Sequence, residues 1–279
     1  MKDEAPIHMY PKIPPTKQRN REEKFRVAKN VPFWHFIANF VFPIMLKSRF
    51  YAAMYKGKEN LEKCDKRFAT ILYANHNNWW DGIWGYYLVH MIIKNKRFRF
   101  MIEEMNRFPL FQYIGCFPVN KKSAQSAIKS LNYAVTTLDT PDTAFLLFPQ
   151  GIIRPPHFRP EIFQSGLAFV AEKAVEKYGG INLVPIANSF MFLRQDRPEV
   201  VSEIGEPIVL TTKRTDRKEF TQELQEKFEK FLDNHDKQIS LGNFEGYHYA
   251  YKQKLHWWRA IEQKLKSIGI KEEEWKIIQ

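Results

Sequence analysis

Phe68-Ala-Thr-Ile-Leu-Tyr-Ala-Asn-His-Asn-Asn-Trp-Trp-Asp81 carries an apolar run directly into a polar turn that holds a histidine and an aspartate. The run 68–74 has the length and composition of a buried strand. A helix is expected from Trp79 to about Ile93, so His76 and Asp81 fall where strand gives way to helix. On one regular helix, residues five apart point about 140° away from each other and would not meet. With His76 just before the first turn and Asp81 inside it, the carboxylate can reach back to the imidazole. An aspartate hydrogen-bonded to one ring nitrogen fixes the tautomer and leaves the other nitrogen free to take a proton. Such a pair is a general base for a hydroxyl. The same spacing also suits a surface hydrogen bond or a helix cap, and other parts of the chain have to decide.

Further apolar runs of strand length occur at 97–102, 144–148, 182–187 and 199–204. Between them, Ala124, Ala127, Ile128, Leu131, Ala134, Val135 and Leu138 recur at helical spacing within Ser123–Leu138. A second helix is expected over Gly166–Tyr178, closed by Gly179-Gly180. A third, from about Asp216 to Leu232, carries Phe220, Leu224, Phe228 and Leu232 on one side. Strands alternating with helices predict an α/β fold, a mostly parallel central sheet flanked by helices. In such sheets ligands bind beyond the carboxyl ends of strands, where His76 and the loop after Phe148 both lie.

The 279 residues are enough for one large domain with terminal additions. Two cysteines, Cys64 and Cys116, make no disulfide framework and no zinc cluster, and fit a reducing compartment. The formal net charge of +12 implies an anionic partner. Half of it resides in residues 1–50, where ten Lys or Arg meet four Asp or Glu. The aromatic-rich, nearly uncharged stretch 32–46 follows. It is too short, and too interrupted by His35, Asn39 and Pro43, for a bilayer span of about 20 residues. Basic residues flanking aromatics suit a segment in the interface of an anionic membrane; a helix covering the protein's own core is the competing reading. No RNP motif, zinc finger or basic helix–turn–helix spacing points to nucleic acid. Near the C-terminus, Leu255, Trp258, Ile261, Leu265 and Ile268 share one helical face.

Three more stretches carry chemistry. Phe148-Pro149-Gln150-Gly151 ends a strand in a tight turn, with Arg154, His157 and Arg159 close behind. Guanidinium groups pair bidentately with phosphate, although a plain Pro/Gly turn with solvated arginines has the same composition. Tyr113-Ile-Gly-Cys-Phe-Pro-Val-Asn-Lys-Lys122 is an apolar turn opening onto two lysines. Leu183-Val-Pro-Ile-Ala187 reads as a buried strand with Pro185 near an end or edge.

In this order and spacing the four stretches resemble the glycerolipid acyltransferase family, which includes the lysophosphatidic acid acyltransferases. The H-x-x-x-x-D signature is His76 to Asp81, and the G-x-x-x-V-[DN]-[RK] turn is Gly115 to Lys121. The F-P-E-G loop is Phe148 to Gly151, and the V-P strand is Val184-Pro185. The resemblance covers about residues 57–210. It implies that His76 deprotonates an acceptor hydroxyl, which attacks an acyl thioester directly while Asp81 orients the ring. Acyl-CoA or acyl-ACP would be the co-substrate, with no bound cofactor and no metal. It further implies that Asn120, Lys121, Phe148, Pro149, Gln150, Gly151 and Arg154 bind the acceptor's polar head. Two departures stand out. Gln150 replaces the usual Glu, and Ile152-Ile153 replaces the usual T-R, leaving Arg154 one position late.

The expected function is an O-acyltransferase for a lysophospholipid or glycerol-phosphate-type lipid, associated with the cytoplasmic face of a membrane. An acceptor without phosphate, such as a glycolipid or glycosylated carotenoid, would satisfy the same chemistry. A non-catalytic lipid-binding protein is the reading from another class. The expected layout is a basic arm (1–30), an interfacial or amphipathic helical segment (31–56), the acyltransferase domain (57–240) and a C-terminal helical extension (241–279).

Overall fold

A computed structural model of the chain describes residues 25–254, except 95, 96, 104, 120–122 and 194, together with 261 and 264. The apolar runs are strands because both of their faces are covered. In chain order the strands are β1 (Ala52–Lys56), β2 (Thr70–Ala74), β3 (Arg97–Ile102), β4 (Cys116–Pro118) and β5 (Thr143–Leu147). They continue with β6 (Ile181–Met191), β7 (Glu199–Ile204), β8 (Ile208–Leu210) and β9 (His248–Lys252). The helices are α1 (Pro32–Arg49), α2 (Asp81–Tyr87), α3 (Ala124–Thr136), α4 (Gly166–Tyr178) and α5 (Arg217–Ser240). A π-helical turn, Leu88–Ile93, prolongs α2.

One mixed sheet runs β4-β3-β5-β2-β6-β7-β1-β9, with β8 also on β6. The five strands from β4 to β6 are mutually parallel. β7 and β9 run antiparallel to β6 and β1, their respective neighbours. Alternation along β2 divides the core in two. Leu72 and Ala74 pack with Phe42, Trp84, Phe98 and Leu146 under α1 and α2. Ile71 and Tyr73 pack with Phe145, Leu167, Ala171 and Phe228 under α4 and α5.

Four differences from the sequence reading have physical causes. Residues 52–56 are a strand and do not continue the helical segment placed at 31–56. Helix α1 stops at Arg49, where Phe50 turns extended, and Ala52, Ala53 and Met54 are buried in the sheet. Within the extension placed at 241–279, residues 248–252 form a strand on β1. Pro185 lies mid-strand in β6, away from any end. It is tolerated because β8 pairs with Ile181–Leu183 and β7 with Ile186–Met191, leaving Pro185 between them with no ladder bond to donate on that side. Helix α5 continues to Ser240, because His235 and Ile239 extend its buried face beyond Leu232. The amphipathic face from 255 to 268 lies outside the described residues, apart from the helical Ile261 and Lys264, as does the arm before residue 25.

Helix α1 begins with Pro32 in its first turn, where the missing N–H costs nothing. Ala38, Phe42 and Leu46, four residues apart, face inward. Phe33, Phe36, Phe40 and Ile44 form an outward stripe that is 52–72% exposed. Among the described residues, no helix is long and apolar enough to cross a membrane.

Candidate active site

The parallel pairing of β2 and β5 brings the two principal motifs together. Tyr73 is in register with Leu147, so His76 and Gln150, each three residues further on, leave the sheet side by side. The bonds follow: the His76 N–H donates to Gln150 Oε1 at 2.6 Å. The Arg154 N–H donates to the His76 carbonyl at 2.8 Å. The main chain of His76 is thus held on both sides by the loop after β5. Gly151 closes the first turn of this loop at φ 70°, with its N–H on the Phe148 carbonyl. Only glycine adopts that region without strain.

A short Asx-turn carries the chain from His76 into α2. Asn78 Oδ1 accepts from the Trp80 N–H at 2.7 Å, and Asp81 opens the helix. Its Oδ2 accepts from His76 Nδ1 at 2.8 Å, from the Asn77 N–H at 2.7 Å and from the Asn78 N–H at 2.9 Å. The carboxylate is 1% exposed, and Oδ1 is buried without a partner among the described residues. Two backbone donors on Oδ2 require an acceptor there, so Nδ1 is the donor of the pair, and in the neutral ring the lone pair falls on Nε2. The imidazole lies flat on Phe148, centroids 4.2 Å apart and planes 7° from parallel.

Behind the histidine, Asn75 and Asn188 exchange side-chain-to-main-chain bonds at 2.8 Å each. Asn188 Oδ1 also accepts from Ser202 and from the Trp84 indole. This buried network ties the end of β2 to β6, β7 and α2.

Ahead of it opens a cavity of about 750 Å³. Its walls are apolar, with Phe42, Ile83, Tyr86, Phe98, Phe100, Ile114, Cys116 and Leu146 among them, and His76 and Arg154 are among its few polar members. Burial pushes both the Tyr86 phenol and the Cys116 thiol up from their ordinary values, keeping these two groups uncharged. Gly115 lies beneath: at φ 97°, with the Phe98 carbonyl where a Cβ would go, it lets β4 close on β3.

The loop residues divide. Arg154 is 7% exposed, packs its guanidinium 4.2 Å over Phe158, and has an Nε with no partner among the described residues. Phe148, Gly151 and Arg154 line the cavity, whereas Pro149 and Gln150 do not. Gln150 is turned inward, 2% exposed, and its amide nitrogen donates to Glu161 Oε2. Arg159 also leaves the site. Its guanidinium binds Glu161 at 3.2 Å, and Asp233 and Asp236 of α5 at 3.2 and 2.7 Å. His157 is exposed. Asn120 and Lys121 lie outside the described residues. Sequence reasoning missed Glu161, whose one signal was a lone acid in the Pro-rich stretch after Arg159. Among the described residues, no three His, Cys, Asp or Glu side chains are grouped to hold a metal.

Residues 53–189 match the family model described as Acyltransferase. The fold resembles the crystal structure of the 1-acyl-sn-glycerophosphate (LPA) acyltransferase PlsC from Thermotoga maritima. The TM-score is 0.52 at 16% identity, over 72% of this chain and 79% of that one. No curated protein sequence matches the chain.

Proposed function

We propose that this chain, which belongs to the glycerolipid acyltransferase family, moves a fatty acyl group from acyl-CoA or acyl-ACP to a hydroxyl of a lysophospholipid or glycerol-phosphate-type lipid. One observation carries the reading: the ring nitrogen that an Asp81-bound His76 leaves without a partner among the described residues belongs to a residue lining a mostly apolar cavity of about 750 Å³. The acyl chain lies in the cavity with its thioester carbonyl at His76. Nε2 takes the proton of the acceptor hydroxyl as the oxygen bonds to the carbonyl carbon. The carbonyl electrons move onto oxygen and return as the carbon–sulfur bond breaks. The thiolate leaves with the proton that His76 gives up. Asp81 stabilises the imidazolium formed between these steps. Arg154, a buried guanidinium with an unpartnered Nε, is suited to an acceptor phosphate.

The chain works on the cytoplasmic surface of an anionic membrane. Phe33, Phe36, Phe40 and Ile44 supply an apolar stripe, and Lys47 and Arg49 end the same helix. Phe42 on the inner face of α1 lines the cavity. One helix would therefore meet lipid on one side and acyl chain on the other.

The test is a radiolabelled acyl thioester incubated with lysophosphatidic acid, other lysophospholipids, a glycolipid or a membrane lipid extract, the product being identified by mass. An ester product and release of one thiol per ester are expected, and His76→Ala abolishes both. Turnover by a folded His76→Ala variant overturns the mechanism. A glycolipid ester without a phospholipid ester moves the acceptor class. No thioester consumed with any acceptor identifies a binding protein.

A further inference from the structure

We infer that Glu161 is a positioning residue for acyl transfer, fixing His76 through Gln150, an inference that rests on His76 being the base proposed above. A continuous chain of bonds leads from α5 to that base. Asp233 and Asp236 hold Arg159, Arg159 holds Glu161 Oε1, Glu161 Oε2 accepts from the Gln150 amide nitrogen, and Gln150 Oε1 accepts from the His76 N–H. Glu161 and Gln150 are each 2% exposed, so water does not replace a lost partner.

The donor and acceptor pattern makes the two residues reciprocal. Gln150 faces a donor on one side and a carboxylate on the other, which an amide satisfies and a carboxylate does not. Glu161 faces two donors, the Gln150 amide and the Arg159 guanidinium, which a carboxylate satisfies and an amide does not. A carboxylate at position 150 would meet that of Glu161, and one proton would be held between them. The acid of this loop therefore stands at 161, with an amide relaying its hold to the backbone of the base. Burial raises the Glu161 carboxyl above its ordinary value, against the opposing pull of Arg159 and Gln150. Neither residue lines the cavity. Their effect belongs in turnover and not in substrate affinity.

The experiment compares Glu161→Gln, Gln150→Glu and the double exchange, each with a thermal melt and steady-state kinetics in acyl-CoA and acceptor. The single variants are expected to lose about 10- to 100-fold in kcat with KM little changed, as other outer partners of reacting groups do. The double exchange restores every pairing. The carboxylate now at position 150 would accept from the His76 N–H and from the amide now at position 161, whose carbonyl would accept from Arg159. It should recover about tenfold or more over either single variant. The Gln150→Glu loss should deepen as pH rises and both carboxylates ionise. Wild-type kcat in folded Glu161→Gln, or a folded double variant no better than the singles, overturns the proposal. If a single variant does not fold, the double variant decides: folded and active supports it, folded and inactive refutes it. His76→Ala measured alongside separates the two levels. Turnover there sinks the base itself, whereas a silent His76→Ala beside an unimpaired Glu161→Gln removes only the role of Glu161.

Discussion

Asp81→Asn removes one charge and almost no volume. The amide oxygen stays where Oδ2 was, because Asn77 and Asn78 both present N–H groups there. His76 Nδ1–H therefore keeps an acceptor and its tautomer. What disappears is the negative charge beside the imidazolium that the proposed mechanism forms at His76. Two unit charges about 4 Å apart at an effective dielectric of 20 attract by about 4 kcal/mol, a suitable setting for a carboxylate that is 1% exposed beside a partly exposed ring. At 1.36 kcal/mol per decade, kcat should fall about 10³-fold. KM should change little, since Asp81 is not part of the cavity wall. The new NH₂ occupies the buried position of Oδ1, which makes no hydrogen bond among the described residues; an amide left unsatisfied there costs roughly 1–3 kcal/mol in stability. The assay is thioester-dependent acylation well below the melting transition, with the folded fraction measured in parallel. A folded Asp81→Asn enzyme within tenfold of wild-type kcat would refute the argument that Asp81 acts by charge.

Three further outcomes are expected. Ile83→Phe adds bulk to the cavity wall, and at about 0.8 kcal/mol per excluded methylene the loss of two should lower kcat/KM about 15-fold for the longest acyl chains. Short chains should be spared, and an equal loss at every length argues against the cavity as the acyl site. Phe36→Glu with Phe40→Glu, both on the exposed stripe, should weaken binding to anionic vesicles about 100-fold or more at about 1.5–3 kcal/mol per Phe, with an unchanged melting temperature. Undiminished vesicle binding rules out α1 as the contact. Burial, and then the neighbouring His35, lower the His90 imidazole from 6.5 to about 4. The unfolded chain therefore gains a proton that the folded chain refuses, and stability should decline as pH falls from about 6.5 towards 4. Denaturant midpoints at pH 7, 5.5 and 4 follow this decline, and His90→Leu should flatten it.

The sequence revealed the fold where burial was two-sided. β2, β3, β5, β6 and β7 read as apolar runs because helices cover both faces of the central sheet. β4 and β8, three residues each, and the largely exposed β9 lack a run or period long enough to read. β1 looked like the tail of a helix because Ala and Met suit either state, and only pairing with β7 decides. At the site, His76 and Asp81 were legible because a turn of five residues brings them together. Gln150 was legible as a substitution, but its contacts were not. They depend on Glu161, eleven residues later, whose place is set by Arg159 and the distant α5. Arg159 read as either a phosphate ligand or a solvated surface arginine, because sequence cannot show a guanidinium already gripped by three carboxylates.

The cavity beside His76 shares its walls with one half of the protein's interior. Phe42, Ile83, Tyr86, Phe98, Ile114, Cys116 and Leu146 belong both to that lining and to the packed layer under α1 and α2. An acyl chain there would extend the packed interior, giving dispersion contacts to the atoms of the cavity wall. Occupancy and folding are then thermodynamically linked: a donor bound at 100 times its Kd raises stability by about 2.7 kcal/mol. Chain selectivity and heat resistance become one property measured in two ways, and a substitution that narrows the cavity with well-packed apolar bulk would raise the second while restricting the first.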